Sequence, residues 1–397
     1  MIAVLLSPVY ILVNAYVVRW LIRWMSACSR YFKKKWVRGL VIAVYVFFAS
    51  AMLIGFLLPP GKPERAMKLI GNYWLGVMLY IILVVVVADI LRLILKHCKK
   101  VNQEKLRSRK TFVVAGAFCI FLISAVSIYG AINARVVRTT DYEVTVNKSA
   151  GDMKDLKVVL TADLHLGYNI GSRQMERMVK QINAKDPDLV VIAGDIFDNE
   201  YEALDDPDRL ISILKSIKSK YGVYACYGNH DIQEKILAGF TFASDKKKVS
   251  APEMDEFLEK ANITLLRDEY VLIDNSFYLY GRPDAERLGR GIDKRKTPAE
   301  ITAELDQTKP ILVIDHEPKE LQELADAGVD IDLCGHTHDG QLFPGNLTIK
   351  FMWENACGYL KKGNMHNIVT SGVGLFGPNM RVGTKSEVCP VTVHFEG

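Results

Sequence analysis

The sequence predicts a chain in two parts, a group of membrane-spanning helices followed by an α/β domain. Half of its 397 residues are hydrophobic, and four long apolar stretches lie before residue 135. After residue 155, short apolar runs alternate with segments whose apolar residues recur at helical spacing, as in an α/β sandwich with largely parallel sheets. We therefore expect a membrane domain at residues 1–135, a polar linker at 136–155 and a second domain at 156–397.

Each of the four apolar stretches is long enough to cross a bilayer, which takes about 20 residues. The first is not typical of a signal peptide, because its basic residues follow the apolar run. Asp89 lies within the third stretch, and we expect it to be paired locally with Arg92 rather than to line an ion pathway. The stretches are Ile2–Leu21, Val37–Leu58, Tyr73–Leu95 and Phe112–Ile132.

The loops between these stretches differ in positive charge. The loops after the first and third stretches are rich in lysine and arginine, whereas the loop after the second has only Lys62, Arg65 and Lys68. Because basic loops remain in the cytoplasm, this pattern predicts a multi-pass cell-membrane protein whose second domain is extracytoplasmic. The net charge is only +5 and no nucleic-acid-binding motif occurs, so the expected partner is the membrane and not nucleic acid.

Strands and helices alternate in the second domain. Apolar residues at helical spacing predict helices around Met175–Ile182, Leu210–Ile217 and Glu320–Ala327. Thr297 and Glu300 form a capping-box pattern around Pro298, which predicts a helix start. The predicted strands are Leu156–Ala162, Leu189–Ala193, Val223–Tyr227, Pro310–Ile314 and Ile331–Cys334, with later β-rich segments at Asn367–Ser371 and Val391–Phe395.

Side chains that can bind metals follow the first five of these strands. Because functional groups in open α/β sheets collect beyond the carboxyl ends of the strands, we expect these side chains to meet. Five of the eight histidines of the chain lie in these clusters, whereas any one histidine alone would more often be structural. The clusters are Asp163-Leu164-His165, Gly194-Asp195-Ile196-Phe197-Asp198, Gly228-Asn229-His230-Asp231, Asp315-His316-Glu317 and Gly335-His336-Thr337-His338.

This series resembles the signature of the calcineurin-like metallophosphoesterase superfamily, which reads D-x-H, G-D, G-N-H-[DE], a lone His and G-H-x-H. The resemblance extends from about Leu156 to the C-terminus and implies a four-layer α/β/β/α sandwich, here preceded by four transmembrane helices. The end of the series is similar to the membrane-associated bacterial YkuE/YaeI-like subgroup, where G-H-T-H-G-G-Q is typical. Asp339 replaces the first glycine of the G-G pair, which affects the local loop but none of the implied ligands.

The resemblance implies a centre of two divalent metal ions and no organic cofactor. Mixed carboxylate, amide and imidazole ligation suits Mn, Fe or Zn better than Mg or Ca, and the sequence does not choose among the three. The implied ligands are Asp163, His165 and His338 for one metal, Asn229, His316 and His336 for the other, and Asp195 between them.

The implied activity is metal-dependent hydrolysis of a phosphoester or pyrophosphate bond by a hydroxide that bridges the two metals. His230, which is not an implied ligand, is expected to stabilise the transition state or to protonate the leaving oxygen. Such a histidine needs a partner that fixes its tautomer. By resemblance this partner is Asp198, with Asp231 as the second candidate; the alternative for Asp231 is helix capping or a solvated turn.

Substrate choice is expected to depend on the segments between the motifs. We expect the run Lys246–Lys248 to be a solvated surface, whereas Arg282–Arg295 is equally consistent with a solvated surface and with the binding of an anionic group. The membrane segments favour a phosphorylated lipid or an envelope-linked phosphate over other phosphorylated small molecules. Monoesterases, diesterases and pyrophosphatases share the same metal site, so the motifs do not separate them.

Two functions of other classes remain as alternatives. One is a second domain that regulates a membrane sensor or transporter, although no repeat or broken helix supports a transporter. The other is a non-catalytic metal-binding scaffold, although such relatives usually lose ligands that this chain retains. The sequence predicts no oligomeric state.

Overall fold

The computed structural model describes residues 2–234, 236–237, 240–241 and 249–397. The run Lys246–Lys248, for which a solvated surface was expected, lies outside the described residues. The chain divides into two compact units. The first comprises Met1–Ile132, Ile236–Ala243 and Gly377–Met380, and the second comprises Asn133–Lys235, Ser244–Phe376 and Arg381–Gly397.

Long apolar helices form most of the first unit. The first apolar stretch forms a helix, as predicted, but within the described residues only the second, third and fifth helices are long and apolar enough to cross a membrane. The predicted count of four spans is therefore supported for three helices. The helices are α1 (Ile2–Cys28), α2 (Lys35–Leu57), α3 (Lys62–His97), α4 (Gln103–Arg107) and α5 (Arg109–Asn133).

A close contact at a glycine and a side-chain hydrogen bond connect these helices. A Cβ at Gly71 of α3 would lie 2.8 Å from the backbone of Met52 of α2, so glycine permits the close approach of the two helices. Lys68, expected in a loop, lies on α3 and forms a buried ion pair at 3.0 Å with Glu64. Asp89, expected to pair with Arg92, instead accepts a hydrogen bond from the Tyr16 hydroxyl of α1.

The strands and the remaining helices follow in chain order. The strands are β1 (Val137–Thr139), β2 (Tyr142–Val146), β3 (Asp155–Thr161), β4 (Leu189–Ala193), β5 (Val223–Cys226), β6 (Ile236–Leu237), β7 (Phe240–Thr241), β8 (Ile263–Leu265), β9 (Glu269–Ile273), β10 (Phe277–Gly281), β11 (Ile311–Ile314), β12 (Ile331–Cys334), β13 (Gly358–Lys362), β14 (Met365–Val369) and β15 (Ser386–Phe395). The helices are α6 (Ser172–Asn183), α7 (Pro207–Lys215), α8 (Pro252–Lys260), α9 (Pro298–Thr302), α10 (Leu321–Asp326) and α11 (Gly345–Thr348).

Two large sheets organise the second unit. The first has the order β1-β15-β3-β4-β5-β8, with β2 also paired with β15, and the second has the order β13-β14-β12-β11-β10-β9. The runs β3-β4-β5-β8 and β10-β11-β12-β14 are parallel, as the strand–helix alternation predicts. The segment 136–155, expected to be a linker, contains β1 and β2, and both pair in parallel with β15. This segment is therefore part of the first sheet.

Three apolar cores separate four layers. One core lies between the two sheets, and side chains of β3 and β4 alternate between this core and the next one. The second core lies between the first sheet and the helices α6, α7 and α8. The third lies between the second sheet and the helices α9 and α10. The predicted four-layer α/β/β/α sandwich is thus confirmed, and the carboxyl ends of its parallel strands carry the residues of interest.

Candidate metal centre

The metal-capable motifs lie where neighbouring parallel strands end. The first three follow β3, β4 and β5 of one sheet, and the last two follow β11 and β12 of the other. Backbone hydrogen bonds hold neighbouring turns in register, since the N–H groups of Asp163 and His165 donate to the carbonyl oxygens of Gly194 and Asp195, both at 3.0 Å. The predicted convergence of these motifs is therefore seen in the structure.

The backbone is strained at this edge. Five of the seven predicted ligands have a positive φ between 44° and 73°, a region that non-glycine residues rarely occupy. Each such conformation costs about 1–3 kcal/mol and persists only where the surrounding structure imposes it, most often at functional sites. The five residues are Asp163, His165, Asp195, His336 and His338.

One group of donor atoms is formed by Asp163, His165 and His338, and all three residues are buried. The Nε2 atoms of the two histidines lie 3.0 Å apart, and His338 Nε2 lies 3.7 Å from Asp163 Oδ1. The Asp163 carboxylate also accepts hydrogen bonds from the backbone N–H of His336 at 3.0 and 3.1 Å. These hydrogen bonds connect the first motif to the last one.

A second group of donor atoms surrounds Asn229. Its side-chain oxygen lies 3.1 Å from His316 Nε2 and 2.9 Å from His336 Nδ1, and the two ring nitrogens lie 3.2 Å apart. His316 Nδ1 lies 2.9 Å from the carbonyl oxygen of Ala193, which accepts only if this nitrogen carries the proton. The Nε2 lone pair of His316 is then directed at the group, as in histidines that bind metals.

Asp195 lies between the two groups. Its Oδ2 is 3.1 Å from His316 Nε2 and 3.7 Å from His165 Nε2. Burial alone would raise the pKa of this carboxyl, but the histidines around it outweigh burial and hold the pKa well below its usual range. Asp195 is therefore an ionised carboxylate within reach of both groups.

The chemistry of these donors fits divalent cations. Burial lowers the pKa of His336 to about 3 and holds that of His338 well below its usual range, so both rings are neutral at pH 7. Burial also opposes protonation of His165 and His316, but hydrogen bonds and charges of the neighbouring carboxylates raise the pKa of both rings. A bound cation would take the place of these protons between ring nitrogens held about 3 Å apart beside an anionic carboxylate. Six of the seven predicted ligands lie in these two groups, and the seventh, Asp195, lies between them. Their assignment to particular metals stays a prediction.

His230 is placed beside both groups, but its partner is not the one expected. The ring Nδ1 forms a short hydrogen bond with the side-chain oxygen of Asn199, and the backbone N–H donates to Asp195 Oδ1 at 2.7 Å. Asp198, the carboxylate expected to orient His230, lies with its Oδ1 3.5 Å from His165 Nδ1. The hydrogen-bond partner of the His230 ring is therefore Asn199, while Asp198 lies in a group of donor atoms with both His165 and His230. The orienting role of Asp198 stays a prediction.

Asp231 has a structural position and does not contact the His230 ring nitrogens. It is buried, and its carboxylate accepts hydrogen bonds from the backbone N–H groups of Phe197 at 2.8 Å and Gly228 at 2.7 Å. These bonds connect the turn after β4 with the turn after β5. Burial raises the pKa of Asp231 to about 7. Neither the second orienting role nor the solvated turn describes this residue.

The basic segment Arg282–Arg295 is not simply a solvated surface. Arg282 and Arg295 donate to the buried Asp315 carboxylate, which precedes His316, at 2.9 and 2.5 Å. Arg287 donates to the carbonyl oxygen of Asn229 at 2.6 Å. The segment therefore supports two of the motifs from outside.

Sequence reasoning missed Asn199 and Arg381. Arg381 is fully buried, and its guanidinium donates to the carbonyl oxygens of Ser371 at 2.6 Å and Gly374 at 2.9 Å, while its Nη2 lies 3.3 Å from His338 Nδ1. Asn199 follows Asp198 directly, so the motif could have been extended by one residue. Arg381 is 43 residues from His338, and no local pattern indicates the contact.

This fold and this cluster define a class of enzymes that hydrolyse phosphoric esters. Residues 156–340 match the family described as calcineurin-like phosphoesterase. The chain thus carries a calcineurin-like metallophosphoesterase domain.

Several relatives share this domain. A "transmembrane protein with metallophosphoesterase domain" of Danio rerio is 28% identical over 72% of this chain and 65% of its own length. An uncharacterized metallophosphoesterase of Campylobacter jejuni is 31% identical over 68% of this chain and 66% of its own. The uncharacterized metallophosphoesterase YkuE of Bacillus subtilis is 26% identical over 73% of this chain and 98% of its own length. The chain spans slightly less than two thirds of the first two relatives.

Proposed function

We propose that this chain is a membrane-bound phosphoesterase that uses two divalent cations, Mn, Fe or Zn, to hydrolyse a lipid-linked or envelope-linked phosphate. The observation that carries the proposal is the pair of donor groups that share Asp195. A single structural metal would need one closed group of four ligands. Two open groups with a carboxylate between them are suited to a dinuclear centre, the arrangement that many phosphatases use.

In this proposal, residues of the chain hold the two cations, position the substrate and transfer a proton to the leaving oxygen. When bound, the two cations would neutralise the phosphoryl oxygens and lower the pKa of a water molecule that attacks phosphorus in line. Asp163, His165 and His338 would hold one cation, and Asn229, His316 and His336 the other. Because the phosphoryl group is anionic throughout the reaction, positioning and charge account for most of the catalysis.

His230 would deliver a proton to the leaving oxygen. Burial lowers its pKa to about 4, so the ring is neutral in the free protein. An anionic phosphoryl group beside the ring would favour the protonated form, which is the form that can give a proton to the leaving oxygen. With Nδ1–H donated to Asn199, Nε2 is the ring nitrogen that remains free to give a proton to the leaving group in this proposal.

The membrane helices support the lipid-linked substrate and the location. Within the described residues, three helices have the length and composition of membrane spans, and the relative from Danio rerio is named a transmembrane protein. We propose a multi-pass protein of the cell membrane with the catalytic domain outside the cytoplasm, on the basis of the basic loops after the first and third apolar stretches. Alkylation of an introduced cysteine, Tyr270→Cys, by a membrane-impermeant reagent on intact cells tests this orientation.

The test of the activity uses the full chain in detergent. We expect about two metal ions per chain by mass spectrometry, and hydrolysis of mono- or bis-p-nitrophenyl phosphate that a chelator abolishes and Mn or Zn restores. His336→Ala should lose metal and turnover, whereas His394→Ala, a change of a surface histidine, should lose neither. Binding of fewer than two ions together with no hydrolysis of any phosphoester would disprove the proposal.

A further inference from the structure

An exposed apolar segment follows the last metal motif. It runs over residues 343–352, between the G-H-T-H-D-G-Q motif and β13, and contains α11. Phe343, Leu347, Phe351 and Met352, here called the apolar tip, are 45%, 51%, 91% and 74% exposed. Scattered exposed apolar residues need no explanation, but four large ones within ten residues of chain indicate an interaction surface.

The apolar tip is attached firmly to the metal centre at both of its ends. Before it, the Gln341 side chain forms two hydrogen bonds with the backbone of Phe376, both at 3.0 Å, and the Phe376 ring lies 4.6 Å from the His230 ring. After it, the Trp353 ring lies 5.0 Å from the His336 ring. Thr337 Oγ1 donates to the carbonyl oxygen of Ala356 at 2.5 Å. The tip is therefore presented by the same residues that surround the site.

The charge of the segment suits a lipid surface. No aspartate or glutamate occurs from residue 343 to residue 352, and the exposed Lys350 precedes Phe351 directly. Aromatic and aliphatic side chains beside a lysine are the composition of elements that lie in the headgroup region of an anionic bilayer. A surface for a protein partner would more often include a polar rim of both signs.

The second unit is joined by a short connection to a helix that has the composition of a membrane span. Residues 134–136 alone separate α5, which has the composition of a membrane span, from β1, so the connection reaches at most about 14 Å. At the end of α5 and within the second unit, the Asn133 side chain donates to the carbonyl oxygens of Arg381 at 3.1 Å and Thr384 at 2.9 Å. Ser386 Oγ donates to the carbonyl oxygen of Ala134 at 3.0 Å.

We propose that the apolar tip inserts into the headgroup region of the bilayer and directs the metal centre towards phosphate groups borne by membrane lipids. This inference rests on the proposed phosphoesterase function and names the surface by which the enzyme reaches its substrate class. The tip would penetrate the lipid surface while Trp353, at its base, keeps the His336 side of the centre close to the headgroups.

Quenching by brominated lipids tests the insertion independently of any activity. In proteoliposomes of brominated phosphatidylcholine and phosphatidylglycerol, Phe351→Trp should add a quenched fluorescence component to that of the native tryptophans. Tyr270→Trp, at a 44% exposed position on β9 at the opposite edge of the second sheet, is the matched control and should add an unquenched component. Equal quenching of the two added tryptophans, or none of either, overturns the proposal.

Hydrolysis separates this inference from the proposed function. Phe351→Ser with Met352→Ser should reduce hydrolysis of phosphatidic acid in vesicles at least tenfold and leave hydrolysis of soluble bis-p-nitrophenyl phosphate unchanged. The matched pair Tyr270→Ser with Leu272→Ser should change neither rate. Equal loss with both substrates, or conversion of a dimer to a monomer in light scattering, overturns the role of the tip in membrane contact. Failure of the wild-type chain to hydrolyse any phosphoester overturns the proposed function instead, while the quenching result still decides the insertion.

Discussion

The contact between His230 and Asn199 leads to a prediction about Asn199→Ala. Asn199 is fully buried, and among the described residues its side-chain oxygen is the acceptor for His230 Nδ1. Removal of this hydrogen bond leaves the ring free to turn and to exchange tautomers. A neutral hydrogen bond contributes about 0.5–1.5 kcal/mol net, and about 1.4 kcal/mol corresponds to a factor of ten. Turnover should therefore fall about two- to tenfold.

Removal of the His230 side chain should reduce turnover more than removal of its hydrogen bond to Asn199. General acid catalysis contributes about 10²–10⁴-fold, so His230→Ala should reduce turnover by that factor with a poor, alkoxide-type leaving group. The effect should be smaller with p-nitrophenolate, which needs little protonation. Asn199→Ala should show the same dependence on the leaving group at a smaller amplitude, because it acts through His230.

Steady-state kinetics of the full chain in detergent, with metal content measured in parallel, tests this reasoning. Asn262→Ala is the matched control, because Asn262 is exposed and has a φ of 58°, close to the 65° of Asn199. The control therefore reproduces the backbone strain of placing alanine at positive φ. Our reasoning is refuted if Asn199→Ala has the same turnover as this control. It is also refuted if the metal content of Asn199→Ala falls by the same factor as its turnover. Asp198→Ala should instead weaken metal retention through His165, with a smaller dependence on the leaving group.

Three further predictions follow from buried polar groups. Asp195→Ala removes the carboxylate shared by both donor groups and should reduce the metal content below one ion per chain, as measured by mass spectrometry. Arg381→Met leaves several buried carbonyl oxygens unpaired, each costing about 1–3 kcal/mol, and should lower the unfolding temperature, whereas Arg173→Met on the exposed face of α6 should have little effect in the same thermal unfolding assay. Asp231→Ala leaves two backbone N–H donors without an acceptor, each costing about 1–3 kcal/mol. This variant should therefore have a lower unfolding temperature, whereas its metal affinity should change less.

Periodicity determined most of the fold from the sequence alone. The strands Leu189–Ala193 and Ile331–Cys334 begin and end as predicted, and all residues of both strands are buried. The predicted linker was wrong in part, since β1 and β2 acquire their strand conformation by pairing with β15, more than 240 residues away. A pattern within a short window carries no information about such a partner.

The same distinction applies to the metal centre. The sequence determined which side chains converge, because the carboxyl ends of parallel strands share one edge and the turns after them must meet there. Only the tertiary structure decided which neighbours those side chains contact. Asp198 and Asn199 are adjacent in sequence, yet the turn directs one to His165 and the other to His230. Arg381 reaches His338 from a distant loop. The positions of most strands along the chain are encoded in local hydrophobic patterns, whereas strand pairing across long distances and side-chain partners depend on the geometry that the whole fold imposes.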